Sequence, residues 1–391
     1  MLRWLPKERK RKLKAKKQKE KPEKKNNYHK MRYGGLSTLK RIWPLFAGLG
    51  LIVIFGFLAG GELRARFFKE RFFKNQPELA VENGSPNNKN AEISVARIID
   101  GVKVPLGKEN LLPAAVMIEN HPDSRPSSGL ARASLVYEAE AEGGITRFLA
   151  IFADTDGISK IGPIRSARPY YVGWADEFKA LYVHCGGSPE ALKKIYGADI
   201  EDLNEFYNAG SFWRETSRPA PHNVYTSGDR LSEYATRKKI ENIGQEGIAP
   251  FKYKEEALSA ERPESSEITV FYKGNDFTAS WKYDKIRNDY ARAQGGTPHL
   301  DEDGSEIRAK NVIIRFVRSA IIDEQGRRAI TDIGEGKAKI CADGICAEAV
   351  WKKKNDNLKT AYFYTDGREI KLNPGTTWIE IVPIGYSVKT E

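Results

Sequence analysis

Arginines and carboxylates concentrate in one stretch, Tyr137–Tyr171 (YEAEAEGGITRFLAIFADTDGISKIGPIRSARPYY). Within it, 145–152 has strand length and is apolar on both faces apart from Thr146 and Arg147, which suits a strand covered from both sides. Alternation places Arg147 on a face with Ile145, Leu149 and Ile151. A guanidinium there needs a carboxylate or a ligand anion, because an unpaired buried charge is costly. Glu138, Glu140 and Glu142, two apart, would line one face of the preceding strand. Arg165-Ser166-Ala167-Arg168 stands before Pro169, a residue suited to a first helical turn, so two arginines and a serine would meet at a helix N-terminus and form an anion site. Arg125, Arg214 and Arg218 are further candidates, and the stiff segment Arg218-Pro-Ala-Pro221 would present His222 to a ligand or to the glutamates. The ligand set expected is therefore Arg147, Arg165, Ser166, Arg168, Arg218 and His222. The competing reading of the same residues is an internal salt-bridge network with Glu119, Glu138, Glu140, Glu142 and Glu215.

Other chemistries leave weaker traces. His121, His184, His222 and Asp123 could bind zinc, yet no HExxH or CxxC spacing is present, so loop-shaping hydrogen bonds and no metal are expected. Gly-x-Ser-x-Gly is absent and Ser166 has no motif-level partner, which argues against a serine hydrolase. His184-Cys-Gly-Gly-Ser188 is a glycine-containing strand-to-helix turn that could cradle phosphate with backbone N–H groups. No motif names a cofactor.

These residues must be positioned by a chain of 391 residues, long enough for two domains and appendages. Its charge is uneven. Residues 1–41 carry 17 Lys/Arg and 3 Glu, or +14, against +12 for the whole chain, so the other 350 residues carry −2. Residues 42–61 are uncharged and mostly apolar, about the length that spans a bilayer as a helix. The positive-inside rule puts the basic tail in the cytoplasm, against anionic lipid and not on nucleic acid, with everything after the span outside. The run exceeds the ~7–15 residues of a signal peptide's apolar core, which favours an anchor over a cleaved leader, and no cysteine follows it to carry a lipid. A polar tether, 62–94, follows.

The first globular segment, 95–248, alternates strand-like runs at 112–118, 135–141, 145–152, 159–164 and 180–184 with helix signals. Ser188-Pro189-Glu190 reads as a helix start and Gly197 as its end; Asp199 begins a second short helix and Ser227-Gly-Asp229 a third. This is the pattern of an α/β layer domain. A charged linker (249–266) leads to a mainly β domain, 267–386, with hairpin turns at Asp303-Gly304, Asp343-Gly344 and Asp366-Gly367. A two-residue turn at Asp343-Gly344 makes Cys341 and Cys346 the second pair out, about 4.5–5.5 Å apart between Cα atoms. A disulfide fits there, as an external location favours; two free thiols facing a core are the alternative. Cys185 is left alone.

The segments MIENHPDSRPSSGL (117–130), VYEAEAEGGITRFLAIF (136–152), IGPIRSARPYY (161–171), HCGGSPEAL (184–192) and TSRPAPHNVYTS (216–227) resemble the DUF3048 family. GEGKAKICADGICAEAVWKK (334–353) and DGREIKLNPGTTWIEIVP (366–383) are similar to that family's second domain. The resemblance covers about 95–385 and implies a bacterial envelope protein of two domains, without supplying a reaction. The order of strand, arginine motif and Gly-Gly turn is also similar in layout to the LytR-CpsA-Psr enzymes, which transfer glycopolymers from polyprenyl pyrophosphate. That likeness implies roles for Arg165, Arg168 and Gly186-Gly187. The expectation is a membrane-anchored external protein that binds an anionic envelope ligand, such as a cell-wall precursor. A phosphotransferase or a purely protein-binding scaffold is the alternative.

Overall fold

The apolar runs that stand out in the sequence fall side by side in the middle of one mixed sheet. In the computed structural model, residues 93–198, 200–242 and 251–391 are described. The strands used below are β1 (Ala114–Glu119), β2 (Leu135–Glu142), β3 (Ile145–Phe152), β4 (Leu181–His184), β5 (Asp202–Asn204), β6 (Glu267–Val270), β7 (Ala279–Asp284), β8 (Asp289–Gln294), β9 (Asn311–Ile321), β10 (Arg328–Thr331), β11 (Gly334–Ala342), β12 (Ile345–Lys353), β13 (Ala361–Tyr364), β14 (Thr377–Pro383) and β15 (Val388–Thr390). Three α-helices accompany them: α1 (Pro169–Asp176), α2 (Pro189–Gly197) and α3 (Gly228–Lys238).

The large sheet has 11 strands, in the order β13-β12-β11-β9-β14-β2-β3-β1-β4-β5, with β10 paired to the far end of β9. Its centre joins the two halves of the sequence: β14 lies parallel to both β9 and β2, pairing Ile379 with Ile313 on one side and Tyr137 on the other. A smaller antiparallel sheet (β8-β7-β6-β15, with short strands added at β8) covers one face. Trp281, Tyr290 and Val270 there pack against Val136, Phe148, Ile314 and Trp378, and Leu231 and Tyr234 of α3 join the same core. α1 and α2 cover the other face, where Tyr171, Trp174 and Ile195 meet Tyr137, Leu149, Ile151 and Ile379.

The expected fold is corrected in one respect. The described chain is mostly β-sheet with few helices, and the strands after 267 complete the sheet begun before 248. Local patterning reads strand and helix from each segment but carries no sign that β14 inserts beside β2, some 240 positions earlier. Part of the segment read as a linker is itself paired: Lys252–Tyr253 runs parallel to Lys371–Leu372.

Local signals decide several element ends. Ser188 Oγ accepts from Ala191 N at 3.2 Å at the start of α2, and Ser227 Oγ accepts from Arg230 N at 3.4 Å at the start of α3. Asp343 (φ 53°) and Gly344 (φ 77°) form the two-residue turn between β11 and β12, both left-handed, as such hairpins require. Cys341 and Cys346 face each other across this hairpin in a disulfide. The short helix expected from Asp199 does not form: Asp199 itself lies outside the described residues, and Asp202–Asn204 is strand β5. The segments 1–41, 42–61 and nearly all of 62–94 lie outside the described residues. Among the described residues, no helix is long and apolar enough to cross a membrane.

Candidate loop cluster at the carboxyl ends of the parallel strands

β1 and β4 run parallel, so their carboxyl ends, at Glu119 and His184, open on the same edge of the sheet. In open sheets with parallel strands this edge is where ligands bind. Glu119 is buried there. It pairs with Arg165 Nε, accepts from the backbone N–H groups of Asn120 and His121 at 3.0 and 3.3 Å, and lies 3.6 Å from His222 Nδ1. Burial alone would raise its pKa, but Arg147, Arg165 and the Asn120 N–H outweigh burial and hold it below the usual carboxylate value.

Two loops close over this carboxylate. His121 precedes a 3₁₀ turn at Pro122–Ser124, and its Nδ1 accepts from Asp123 N at 3.2 Å. The second loop carries His222, whose ring stacks on His121 with centroids 5.0 Å apart and planes at 20°. Arg218 clamps the loops together by donating to the carbonyls of Ser124 and Pro126, the latter at 2.8 Å. Burial lowers the His222 pKa, and Arg165 and His121 lower it further against the opposing pull of Glu119. The imidazole is therefore neutral at pH 7. Arg165 is 21 % exposed; apart from its bond to Glu119 it donates to Pro221 O at 3.3 Å.

Other residues singled out in the sequence lie elsewhere or are engaged within the fold. Arg147 and Arg168 converge on one carboxylate, Glu142, at 2.7 Å each. Burial would raise Glu142, and the two guanidinium groups more than reverse it. Arg147 shares its face with Leu149 and Ile151, as alternation requires, whereas Ile145 at the strand start packs on the opposite core. Glu138 and Glu140 share the other face of β2, and the register shifts between Glu140 and Glu142. This bulge turns Glu142 toward the arginines. Glu138 instead meets Arg292 at 2.6 Å, and Glu140 meets Arg328. Both partners come from the C-terminal half.

Ser166 Oγ donates to Cys185 O at 2.9 Å, which leaves it no base. Arg125 donates to Asn120 O, Arg214 pairs with Glu205 at 3.1 Å, and Glu215 lies 3.6 Å from Lys160. His184 lies between Gly186 O (2.7 Å) and Asp202 Oδ1 (2.6 Å), fixing the end of β4. The residues brought together are thus Arg165, Arg218 and His222, with Glu119, His121 and Asp123. Spacing alone did not couple His121 to His222, which lie 101 positions apart; residue type grouped them with His184 and Asp123, and His184 falls outside the cluster.

Fold and site together define a β-rich protein with a polar two-histidine loop cluster at the carboxyl ends of parallel strands. The chain belongs to the DUF3048 family: residues 101–241 match the model described as "Protein of unknown function (DUF3048) N-terminal domain", and residues 268–379 match that of its C-terminal domain. It is similar to the protein named "Putative lipoprotein YerB" of Bacillus subtilis (strain 168), with 36 % identity over 289 residues, 73 % of this chain and 85 % of the relative. The crystal structure of Bacillus subtilis YerB superposes with a TM-score of 0.65 at 33 % identity, covering 75 % of this chain and 99 % of that one.

Proposed function

We propose that this is a membrane-anchored extracytoplasmic protein that binds an anionic cell-envelope ligand at the loop cluster, with Arg165 as its main contact. The apolar run at 42–61 would anchor it, with the basic tail in the cytoplasm. An envelope location agrees with the lipoprotein name of the Bacillus relative. The observation that carries the ligand reading is the state of Arg165. It is partly exposed at the open edge of the sheet and answered by one carboxylate, whereas Arg147 and Arg168 are enclosed around Glu142. Beyond Glu119, the guanidinium's hydrogen bond is the long one from Nη1 to Pro221 O (3.3 Å), which a phosphate or carboxylate gripped by two parallel bonds would replace. Less supports a glycopolymer phosphotransferase, which would draw on Arg165 and Arg168 together.

The test uses full-length protein in detergent with polyprenyl pyrophosphate as probe. Arg165→Lys keeps the charge beside Glu119 but loses the fork, so affinity should fall roughly ten- to a hundredfold, the worth of one charge-assisted hydrogen bond. Its melting temperature should stay near that of the wild type. Arg165→Ala strands the buried Glu119 and should also lower stability, by about 3 kcal/mol. If wild-type protein does not bind the probe while both variants lose stability, the arginine is structural and the scaffold reading takes its place.

A further inference from the structure

We infer that His121, Asp123 and His222 form a binding site for a divalent transition metal of the zinc class. One donor atom from each lies within 4.8 Å of the others. Two imidazole nitrogens and a carboxylate are a borderline donor set that suits zinc and its neighbours better than magnesium or calcium. A second, independent observation points the same way: His222 Nδ1 is buried and has no hydrogen-bond partner. Its nearest carboxylate oxygen, on Glu119, is 3.6 Å away and engaged by Arg165. A buried polar atom left unpaired calls for an ion or a water. Loop packing alone would account for the stacked rings but not for the orphaned nitrogen.

The cluster can tighten around an ion. Bonds of about 2.0–2.1 Å place tetrahedral donors roughly 3.3 Å apart. His222 is 13 % exposed and sits in the loop clamped by Arg218, so it is the fixed member. Asp123 is 72 % exposed, and its side chain is free to swing inward. A metal on His121 Nδ1 would displace the 3.2 Å bond from Asp123 N. Ligation requires neutral imidazoles. Asp123 and Glu119 then balance Arg165 and Arg218, and a dication makes the cluster positive. Three protein ligands leave a coordination position open beside Arg165. The metal thereby deepens the anion-binding reading, since the same anion could bridge metal and guanidinium.

The experiment titrates full-length, chelator-treated protein with Zn²⁺ alone, and with Co²⁺ for its visible spectrum, in a buffer without phosphate or pyrophosphate. Wild type should take up one equivalent that the His121→Ala/His222→Ala double variant lacks, a comparison that subtracts binding elsewhere in the chain. Asp123→Asn, at an exposed site where folding is not at stake, should weaken the metal roughly tenfold or more and alter the Co²⁺ bands. Uptake by the double variant equal to wild type overturns the proposal. A separate titration with inorganic pyrophosphate, with and without zinc, keeps the two readings apart. Metal uptake without pyrophosphate binding upholds the metal site and removes the anion reading. Pyrophosphate binding with no difference in metal uptake does the reverse.

Discussion

Arg292→Met is expected to destabilise the protein by about 3–5 kcal/mol, the cost of removing one member of a buried ionic group and leaving its partners without compensation. On a unit of this size the melting temperature should fall by roughly 5–8 °C. Arg292 and Glu138 are both fully buried and meet at 2.6 Å between the two sheets. The guanidinium also donates to Gln294 Oε1 at 2.8 Å and contacts His299 Nδ1 at 2.6 Å, and it lies 4.9 Å from the ring centre of Trp378. Burial pushes His299 well below its ordinary value and Arg292 adds to this, so the ring is neutral and its Nδ1 can accept. Close by, Glu380 accepts from Trp281 Nε1 at 2.9 Å and from Tyr272 Oη at 3.0 Å. Burial, aided by the charge of Glu138, raises Glu380 to about 8 despite Arg292. A carboxyl raised on folding contributes stability that is present below its unfolded value, near 4.5, and lost as pH rises through the folded one. Wild-type stability should therefore decline between about pH 4.5 and 8, and in Arg292→Met, where the cation that holds Glu380 down is gone, the decline should extend above pH 8. Chemical denaturation at pH 5 and pH 8 measures this. Equal wild-type stability at the two pH values would mean that Glu380 is not raised in the fold.

The same pair explains which parts of the structure could be read from sequence and which could not. The alternation that set Glu138 and Glu140 on one face is local, since it follows from the pleat alone. The identity of their partners is not local: Arg292 is 154 residues from Glu138 and reaches it only because the second sheet lies over the first. Glu142 belongs to the sequence pattern of its neighbours but not to their environment, because one bulge turns it to the Arg147 side, and no residue type announces that bulge. The helix starts at Ser188 and Ser227 were legible because a cap acts within three residues. The insertion of β14 between β9 and β2 was not. Trp378, Ile379 and Ile381 mark an apolar strand wherever it pairs, and their register against Val136, Tyr137 and Ala139 is fixed by tertiary packing. At the loop cluster, Arg165 and His222 were recognisable as polar residues on loops beside strand ends. Their convergence on Glu119 depends on the Arg218 clamp, whose acceptors are backbone carbonyls common to every residue.

A second buried pair should show whether the union of the two halves depends on charge or on packing. Glu177, at the C-terminal end of α1, and Lys353, at the end of β12, form a salt bridge with both side chains fully buried. Glu177 also accepts from Thr360 N at 3.0 Å, Thr360 Oγ1 at 3.2 Å and Tyr137 Oη at 3.3 Å. The next acid near Lys353 is Asp332, at 4.0 Å, and it is itself engaged by Trp174 Nε1 at 2.9 Å. Lys353→Met leaves a carboxylate in the interior with neutral donors only, and Glu177→Gln leaves an ammonium with a distant acid. Each should cost about 3–5 kcal/mol. The double variant removes both charges while methionine fills the lysine's path and glutamine's single carbonyl oxygen, placed where Oε2 is, still accepts from Thr360 N and Tyr137 Oη. Replacing a whole buried pair with neutral groups is often close to neutral, so its loss should be no more than about 2 kcal/mol, well short of the sum of the singles. Denaturant unfolding of the four proteins gives the coupling energy. If the single losses simply add, each side chain acts through its own packing, and the ion pair contributes nothing to holding α1 against the strands from the second half of the chain. A strong coupling means instead that the charges stabilise the junction only together, so a substitution on one side is tolerated only with a compensating change on the other.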